Sequence, residues 1–354
     1  LSEPMILPGA TIGILGGGQL GRMLATAAAQ LGYKCHVFAP DTDSVAASVS
    51  DRFTRAEWDS PELIEFARQC DVVTYEFENV PVAPLEKIAD KLAPGTRALE
   101  VAQDRLAEKR FVTDLGGRPA PFAPVNSRAD LDAAIARIGT PGILKTRREG
   151  YDGKGQWRIG SAEEAAGLDL SGNDLIYEGF VRFEAEFSVI LVRGRDGEVR
   201  FWDSPHNEHE SGILARSTLP AHPSIGPHVE PARQLARKVA DALGYVGVLT
   251  LEFFACADGP VFNEMAPRVH NSGHWTIEGA ITSQFENHVR AILGLPLGDT
   301  GLTAPRVEMR NLIGRDIERA AEILAKGDTH LHHYGKGSVR EGRKMGHVTR
   351  LVRA

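Results

Sequence analysis

Apolar and polar positions along this chain change period several times, and each change marks an element. Thr11-Ile12-Gly13-Ile14-Leu15 is a short apolar run of the kind a strand buried on both faces requires. Gly16-Gly17-Gly18 breaks it, and Gln19 to Leu31 carries a helical pattern that ends at Gly32. Cys35 to Ala39 reads as a second strand closed by Pro40-Asp41, Pro61 to Gln69 as a helix, and Asp71 to Glu76 as a third strand. This β-α-β-α-β order predicts a parallel sheet with right-handed crossovers, in a first domain ending near residue 100.

Beyond it, Ala102 to Leu115 predicts a helix stopped by Gly116-Gly117, and Arg128 to Ile138 a helix capped by Ser127 and stopped by Gly139. Strand 142–146, a glycine loop and Trp157-Arg158-Ile159 predict a β-hairpin, and Ala162 to Gly167 a short helix. These make a small α+β module over 101–182. Strands follow at 174–178, 184–193, 198–203, 245–256 and 260–265, with helices at 230–243, near 281–293 and at 314–325. A basic, glycine-containing end closes a third domain, 183–354.

Length and composition agree with a multidomain globular protein: 354 residues, 42% hydrophobic and 25% charged. A net charge of -7 argues against nonspecific nucleic-acid binding, which needs a broad basic surface. The charge is uneven, because Lys336, Arg340, Arg343, Lys344, Arg350 and Arg353 crowd the C-terminus, as a local anion site or a solvated tail would. Cys35, Cys70 and Cys256 are far apart among apolar neighbours, so they read as core residues rather than a zinc or disulfide set. No apolar run reaches the roughly 18 residues of a membrane span, and no signal-peptide pattern opens the chain. The expectation is a cytoplasmic protein without membrane or nucleic-acid partners.

Three segments carry chemistry. Around the loop Gly150-Tyr151-Asp152-Gly153-Lys154-Gly155-Gln156, Lys145 and Lys154 add ammonium groups to a flexible backbone, which suits a polyphosphate or a solvated hairpin tip. Gly16-x-Gly18-x-x-Gly21 fits a dinucleotide, another phosphorylated ligand, or a plain turn. Glu76, at the end of the third strand, would either face the same crevice or be an ordinary solvated strand end. The third segment joins Leu251 to Cys256 and Pro260 to Glu264 through Asp258-Gly259. A loop of Ala257 to Gly259 would put Glu252 opposite Glu264, either a repelling pair that a divalent cation resolves or two carboxylates pointing to water on a half-exposed sheet, while ideal alternation would turn Asn263 away. Arg268, just beyond, suits charge neutralisation on a transferring phosphoryl group. His270 and His274 lack the softer neighbours a zinc site would need.

Together these motifs resemble the ATP-grasp superfamily, and within it the N5-carboxyaminoimidazole ribonucleotide synthetase family. The resemblance rests on Gly16 to Met23, Glu76 to Val80, Gln103-Asp104-Arg105 with Lys109, Gly150 to Gln156, Asn263 to Arg268 with Asn271 to His274, and Tyr334-Gly335-Lys336 with Gly342 to His347. It implies an α/β and α+β fold: a Rossmann-like, pre-ATP-grasp N-terminal domain, a small lid domain and a C-terminal ATP-grasp domain. It implies a ligase that uses ATP, Mg2+ or Mn2+, and bicarbonate to carboxylate 5-aminoimidazole ribonucleotide through carboxyphosphate, as a homodimer.

It also implies roles. Arg105 and Lys145 would contact ATP phosphates under a lid of Gly150 to Gln156. Glu178, Gly179, Phe180 and Val181 would hold adenine and Glu186 the ribose, with His209 nearby. Glu252 and Glu264 would bind the metal, with Asn263 adjacent. Gly18, Gln19, Leu20, Glu76, Tyr151, Asp152, Asn271, Lys336, Arg343 and Lys344 would surround the aminoimidazole ribonucleotide. Tyr151, Asp152, Arg268 and Lys336 are the catalytic candidates, with Asp152 or released phosphate taking the amine proton. Two positions depart from the family pattern: Glu149 stands where glycine is usual, and His206 where glutamate is. The rivals are another ATP-grasp ligase, such as a formate-using glycinamide ribonucleotide transformylase, and an NAD-dependent oxidoreductase or nucleotide sensor built on the first domain.

Overall fold

The structure is a computed structural model. It describes residues 5–150, 155–168, 170 and 174–352. The first sheet holds β1 (Thr11–Leu15), β2 (Lys34–Ala39), β3 (Arg52–Arg55) and β4 (Val72–Tyr75), all parallel, in the order β3-β2-β1-β4. Helices α1 (Gln19–Gln30), α2 (Glu62–Arg68), α3 (Val82–Leu85) and α4 (Thr96–Ala102) belong to the same segment. The apolar run of β1 is unbroken because both faces are covered. Ile12 and Ile14 pack with Leu24 of α1, while Leu15 packs with Leu63 and Phe66 of α2. The edge strand β3, Arg-Phe-Thr-Arg, is mostly exposed and carries no apolar run, so the sequence does not announce it.

Helix α5 (Arg105–Asp114) leads into the second sheet, its N-terminus capped by the Asp104 carboxylate, which accepts from the Leu106 and Ala107 amides. That sheet is antiparallel, in the order β5-β8-β6-β7. Its elements are β5 (Phe122–Val125), α6 (Arg128–Ile138), β6 (Gly142–Thr146), β7 (Gln156–Ile159), α7 (Ala162–Ala166) and β8 (Leu175–Gly179). The expected hairpin of β6 and β7 is present, with Lys145 opposite Gln156. Residues Tyr151, Asp152, Gly153 and Lys154, the tip of the glycine loop, lie outside the described residues.

The third sheet contains β9 (Ala185–Arg193), β10 (Val199–Phe201), β11 (His206–Glu210), β12 (Ile213–Leu219), β13 (Gly247–Cys256), β14 (Gly259–Ala266), β15 (Arg306–Ile313), β16 (Thr329–His333) and β17 (Lys344–Val352). Its order is β14-β13-β9-β11-β12-β15-β17-β16, with β10 beside β9. Helices α8 (Gly226–Ala242), α9 (Thr276–Gly279), α10 (Gln284–Ile292) and α11 (Ala320–Leu324) accompany it. The basic C-terminus is therefore not simply a solvated tail: Lys344 and Arg350 belong to strand β17, which pairs along its length with β15.

One core runs from the first sheet into the third, since Ile14, Val37 and Leu24 cluster with Phe285 and Val289 of α10 and with Val248 of β13. A buried histidine stitches the same joint. The Val248 amide donates to Nδ1 of His288 at 3.1 Å, so the ring proton sits on Nε2 and is given to Oγ1 of Thr74, 2.8 Å away. Thr74 lies two residues before Glu76, and so the joint fixes the crevice at the end of β4 relative to the large sheet.

Candidate active site

The carboxylates expected to meet do meet: Glu252 of β13 is paired with Glu264 of β14. The register around them differs from the expectation. Cys256 pairs with Gly259, so the loop holds two residues, Ala257 and Asp258, and the register slips by one beyond Phe253–Phe262. Asn263 is the extra residue of a β-bulge. A bulge disturbs the strict alternation of a strand, and Asn263 and Glu264 accordingly line the same cavity. Ideal alternation is thus the wrong guide here, and Asn263 is not turned away from the site.

Burial and the neighbouring Glu264 push the Glu252 carboxyl well above its usual range. Two carboxylates held this way are unfavourable as they stand, and a divalent cation relieves the repulsion. By that measure Glu252 and Glu264, with Asn263 beside them, fit Mg2+. Arg105 also serves Glu264, donating at 3.2 Å, and gives its second nitrogen to the Gly150 carbonyl at 2.8 Å.

A cavity of about 320 Å³ lies on one side of the pair, lined by Lys145, Gln156, Phe183, Glu186, His209 and Phe254 among others. Lys145 of β6 donates to Glu178 of β8 at 2.9 Å, and Lys109 of α5 stands 3.4 Å from the other oxygen. Burial would raise the Glu178 carboxyl, but Lys109 and Lys145 hold it down at about 2. Burial lowers the Lys145 pKa, and the crowding of Lys109 and Arg105 adds to that despite Glu178. Two ammonium groups share the one Glu178 carboxylate, and Lys145, which lines the cavity, is chemically suited to a polyphosphate. The Glu178 side chain is committed to the lysines, while Gly179 and Phe180 turn the chain at the end of β8 with their amides on the Pro121 and Pro141 carbonyls. Val181 follows directly. Glu186 sits 2.8 Å from Nδ1 of His209. Burial works against the His209 imidazolium, but that contact, with Glu252 and Glu264 nearby, raises its pKa overall.

On the other side of the pair is a cavity of about 200 Å³, lined by Gln19, Leu20, Glu78, Arg147, Glu149 and Arg268 among others. Arg268 grips Glu78 with two nitrogens, which holds the guanidinium at the wall. Glu76 is spoken for: its oxygens accept from the Gly18 amide at 2.8 Å and the Gly21 amide at 3.1 Å. A Cβ on Gly16 would stand 2.6 Å from that carboxylate, which is why glycine is needed there. The dinucleotide-like turn is thus filled from within the chain, and a pyrophosphate could not share it with a buried carboxylate.

Arg105, Glu252, Glu264, His270, Asn271 and Lys344 line both cavities. Among them, Asn271 is half-buried, but both its amide atoms are shielded from solvent and have no hydrogen-bond partner among the described residues, a costly state that a ligand would relieve. His270 was weighed in the sequence only as a metal ligand. It places Nε2 3.4 Å from Glu252, and burial with Arg268 and Lys344 nearby keeps it neutral. Lys336 donates to the Lys344 carbonyl at 2.7 Å, and Arg343 to Ser338, so both stand beside the cavities behind Lys344 rather than on their walls.

Family models match three consecutive segments: a ribonucleotide synthetase preATP-grasp domain over residues 9–103, an ATP-grasp domain over 110–285, and a phosphoribosylaminoimidazole carboxylase C-terminal domain over 308–353. The N5-carboxyaminoimidazole ribonucleotide synthase of Brucella melitensis is 49% identical, with 99% of each chain covered. The chain belongs to the N5-carboxyaminoimidazole ribonucleotide synthase family. The synthase of Pseudomonas aeruginosa is 46% identical, over 96% of this chain and 93% of that one. Among solved structures, the Thermus thermophilus synthetase superposes with a TM-score of 0.90 at 47% identity, over 97% and 94% of the two chains. The Aspergillus clavatus synthase, solved with ADP and 5-aminoimidazole ribonucleotide, gives 0.88 at 32% identity, over the same shares. Membership removes the oxidoreductase rival, in keeping with the filled glycine turn. No helix among the described residues is long and apolar enough to cross a membrane.

Proposed function

We infer that this chain transfers the γ-phosphoryl group of ATP to bicarbonate, and then the activated carboxyl group to the amine of 5-aminoimidazole ribonucleotide. The products are ADP, phosphate and N5-carboxyaminoimidazole ribonucleotide, within de novo purine synthesis. The observation that carries this reading is the shared wall: the Glu252–Glu264 pair stands between a nucleotide-sized cavity and a second, polar one. ATP takes the side of Lys145, Glu186 and His209, and the ribonucleotide the side of Gln19, Leu20 and Arg268. Such a reaction depends on positioning and charge neutralisation more than on covalent chemistry.

A bicarbonate oxygen attacks the γ-phosphorus, the bond to the β-phosphate oxygen breaks, and ADP departs. Lys145 and Arg105 meet the negative charge on the phosphates, and Arg268, held by Glu78, meets it on the bicarbonate side. Mg2+ held by Glu252 and Glu264, with Asn263, would supply further neutralisation of the phosphate oxygens. The amine then forms its bond to the carboxyl carbon, directly on carboxyphosphate or on CO2 released from it, and phosphate leaves. Asn271 offers one donor and one acceptor to the ribonucleotide. Lys344, with Lys336 and Arg343 behind it, supplies positive charge for the 5′-phosphate. A cytoplasmic homodimer belongs to the same reading, and sedimentation would measure its mass.

The test is ADP release with bicarbonate, with and without aminoimidazole ribonucleotide, against formate with glycinamide ribonucleotide. ADP formation that requires bicarbonate and rises with aminoimidazole ribonucleotide supports the reading. Turnover driven by formate and glycinamide ribonucleotide instead would replace it with the transformylase.

A further inference from the structure

Strand β14 is the edge of the large sheet and carries Glu264, yet its outward backbone groups do not face solvent. The Phe262 amide donates to the Arg118 carbonyl. At the bulge, where no strand could follow the irregular backbone, side chains of α5 take over. Nζ of Lys109 donates to the Asn263 carbonyl at 3.0 Å, and the Met265 amide donates to Oε1 of Glu108 at 2.7 Å. These contacts bracket Glu264 on both sides. Lys109 is 1% exposed and Glu108 2%, so neither contact competes with water. Lys109 also faces Glu178 of β8, whose other oxygen holds Lys145. One buried ammonium therefore joins the sheet that offers Lys145 to the strand that offers Asn263 and Glu264.

We propose that Glu108 and Lys109 are positioning residues: they brace the β14 bulge so that Asn263 and Glu264 face the metal together, and Lys109 fixes that strand relative to Lys145. This rests on the metal–nucleotide reading of the site. Neither residue needs to touch the metal or ATP. Without the brace, the bulge can relax to regular alternation, which would carry Asn263 off the face of Glu264.

The test measures Mn2+ binding by electron paramagnetic resonance of the free ion, in the presence of ADP, for the full chain and for Lys109→Met and Glu108→Leu. ADP affinity without metal and thermal stability are measured alongside. Loss of groups that orient metal ligands commonly weakens metal binding by about 10–100-fold. At least a roughly tenfold loss of Mn2+ affinity is expected in each variant, with metal-free ADP affinity changed much less. Glu108→Gln, which keeps an acceptor for the Met265 amide, should recover most of the Glu108→Leu loss. If one apolar variant does not fold, the other carries the comparison. If neither folds, Glu108→Gln and Lys109→Arg are compared with the parent, and unchanged Mn2+ affinity in the poorer-fitting Lys109→Arg overturns the proposal. Lower melting temperature with undiminished Mn2+ affinity would show a merely structural role and overturn it too. Failure of the parent chain to bind Mn2+ with ADP would instead count against the underlying reading of the site.

Discussion

His288 gives a prediction whose sign and size both come from the structure. The ring is fully buried, accepts from the Val248 amide and donates to Thr74. Burial pushes its pKa down to about 4, against about 6.5 for a free imidazole. The native state therefore excludes a proton that the unfolded chain accepts. The stability this contributes is complete above about pH 6.5 and is lost as the pH falls from there towards 4. Its full value is about 3 kcal/mol, and about 2 kcal/mol of it goes between pH 7.5 and pH 5. His288→Phe keeps the ring volume but strands the Val248 amide and the Thr74 hydroxyl, at a cost of about 2–4 kcal/mol near pH 7.5. Urea unfolding at both pH values measures the gap between the two proteins. Because His270, His274 and His347 are also held below their usual range, both proteins weaken in acid, and only the difference reports His288. That gap should shrink by about 2 kcal/mol at the lower pH. Parallel pH profiles would refute a neutral, proton-excluding His288 at the joint between the sheets.

Three further outcomes follow from the site. Glu264→Gln should abolish ADP formation while leaving the circular dichroism spectrum intact; normal turnover would remove Glu264 from the metal site. Lys336→Ala, by loosening Lys344 as well as removing a charge, should raise KM for the ribonucleotide far more than for ATP, by about 1.5–3 kcal/mol in kcat/KM. Glu149 has a backbone φ of 62°, the left-handed region, which a side chain with a Cβ occupies only at a cost. Glu149→Gly should therefore keep or raise stability by up to about 1 kcal/mol, glycine's greater freedom when unfolded offsetting part of the relief, and a clear drop in melting temperature would refute the strain argument.

Legibility in the sequence followed apolar patterning. Strands β1, β2 and β4 are apolar runs with glycine or proline punctuation, and they and the β6–β7 hairpin fall where expected, whereas β3 has no such signal. Strand β11, His-Asn-Glu-His-Glu, has no such signal although it lies inside the large sheet. It is held instead by a buried polar ladder: Asn207 donates to Ser188 of β9 at 2.6 Å and accepts from Ser217 of β12 at 2.8 Å. A ladder of that kind is specified by partners distant in sequence, and no local period reveals it. The facing of Glu252 and Glu264 was legible for a subtler reason. A three-residue loop and a two-residue loop followed by a one-residue bulge bring the same two positions together. The pairing survived the wrong turn, but the placement of Asn263 did not, because only the bulge brings it to the cavity.

The two glycine-rich segments show why motif and function must be argued separately. Both offer backbone freedom and amide donors, the features that suit phosphate. At Gly16 to Gly21 the donors are already used, because Glu76 reaches across from the end of β4 and occupies the N-terminus of α1. Burial raises the Glu76 carboxyl while the Gly18 and Gly21 amides draw it back, so the chain has invested a buried acid in closing this turn. Gln19 and Leu20, at the start of α1, line the smaller cavity, so the first sheet's segment offers a cavity wall rather than a cradle for a dinucleotide. The cations that line the larger of the two cavities lie elsewhere, at Arg105 and Lys145. The second glycine segment, not the first, stands beside those cations, because the Gly150 carbonyl accepts from Arg105 at 2.8 Å.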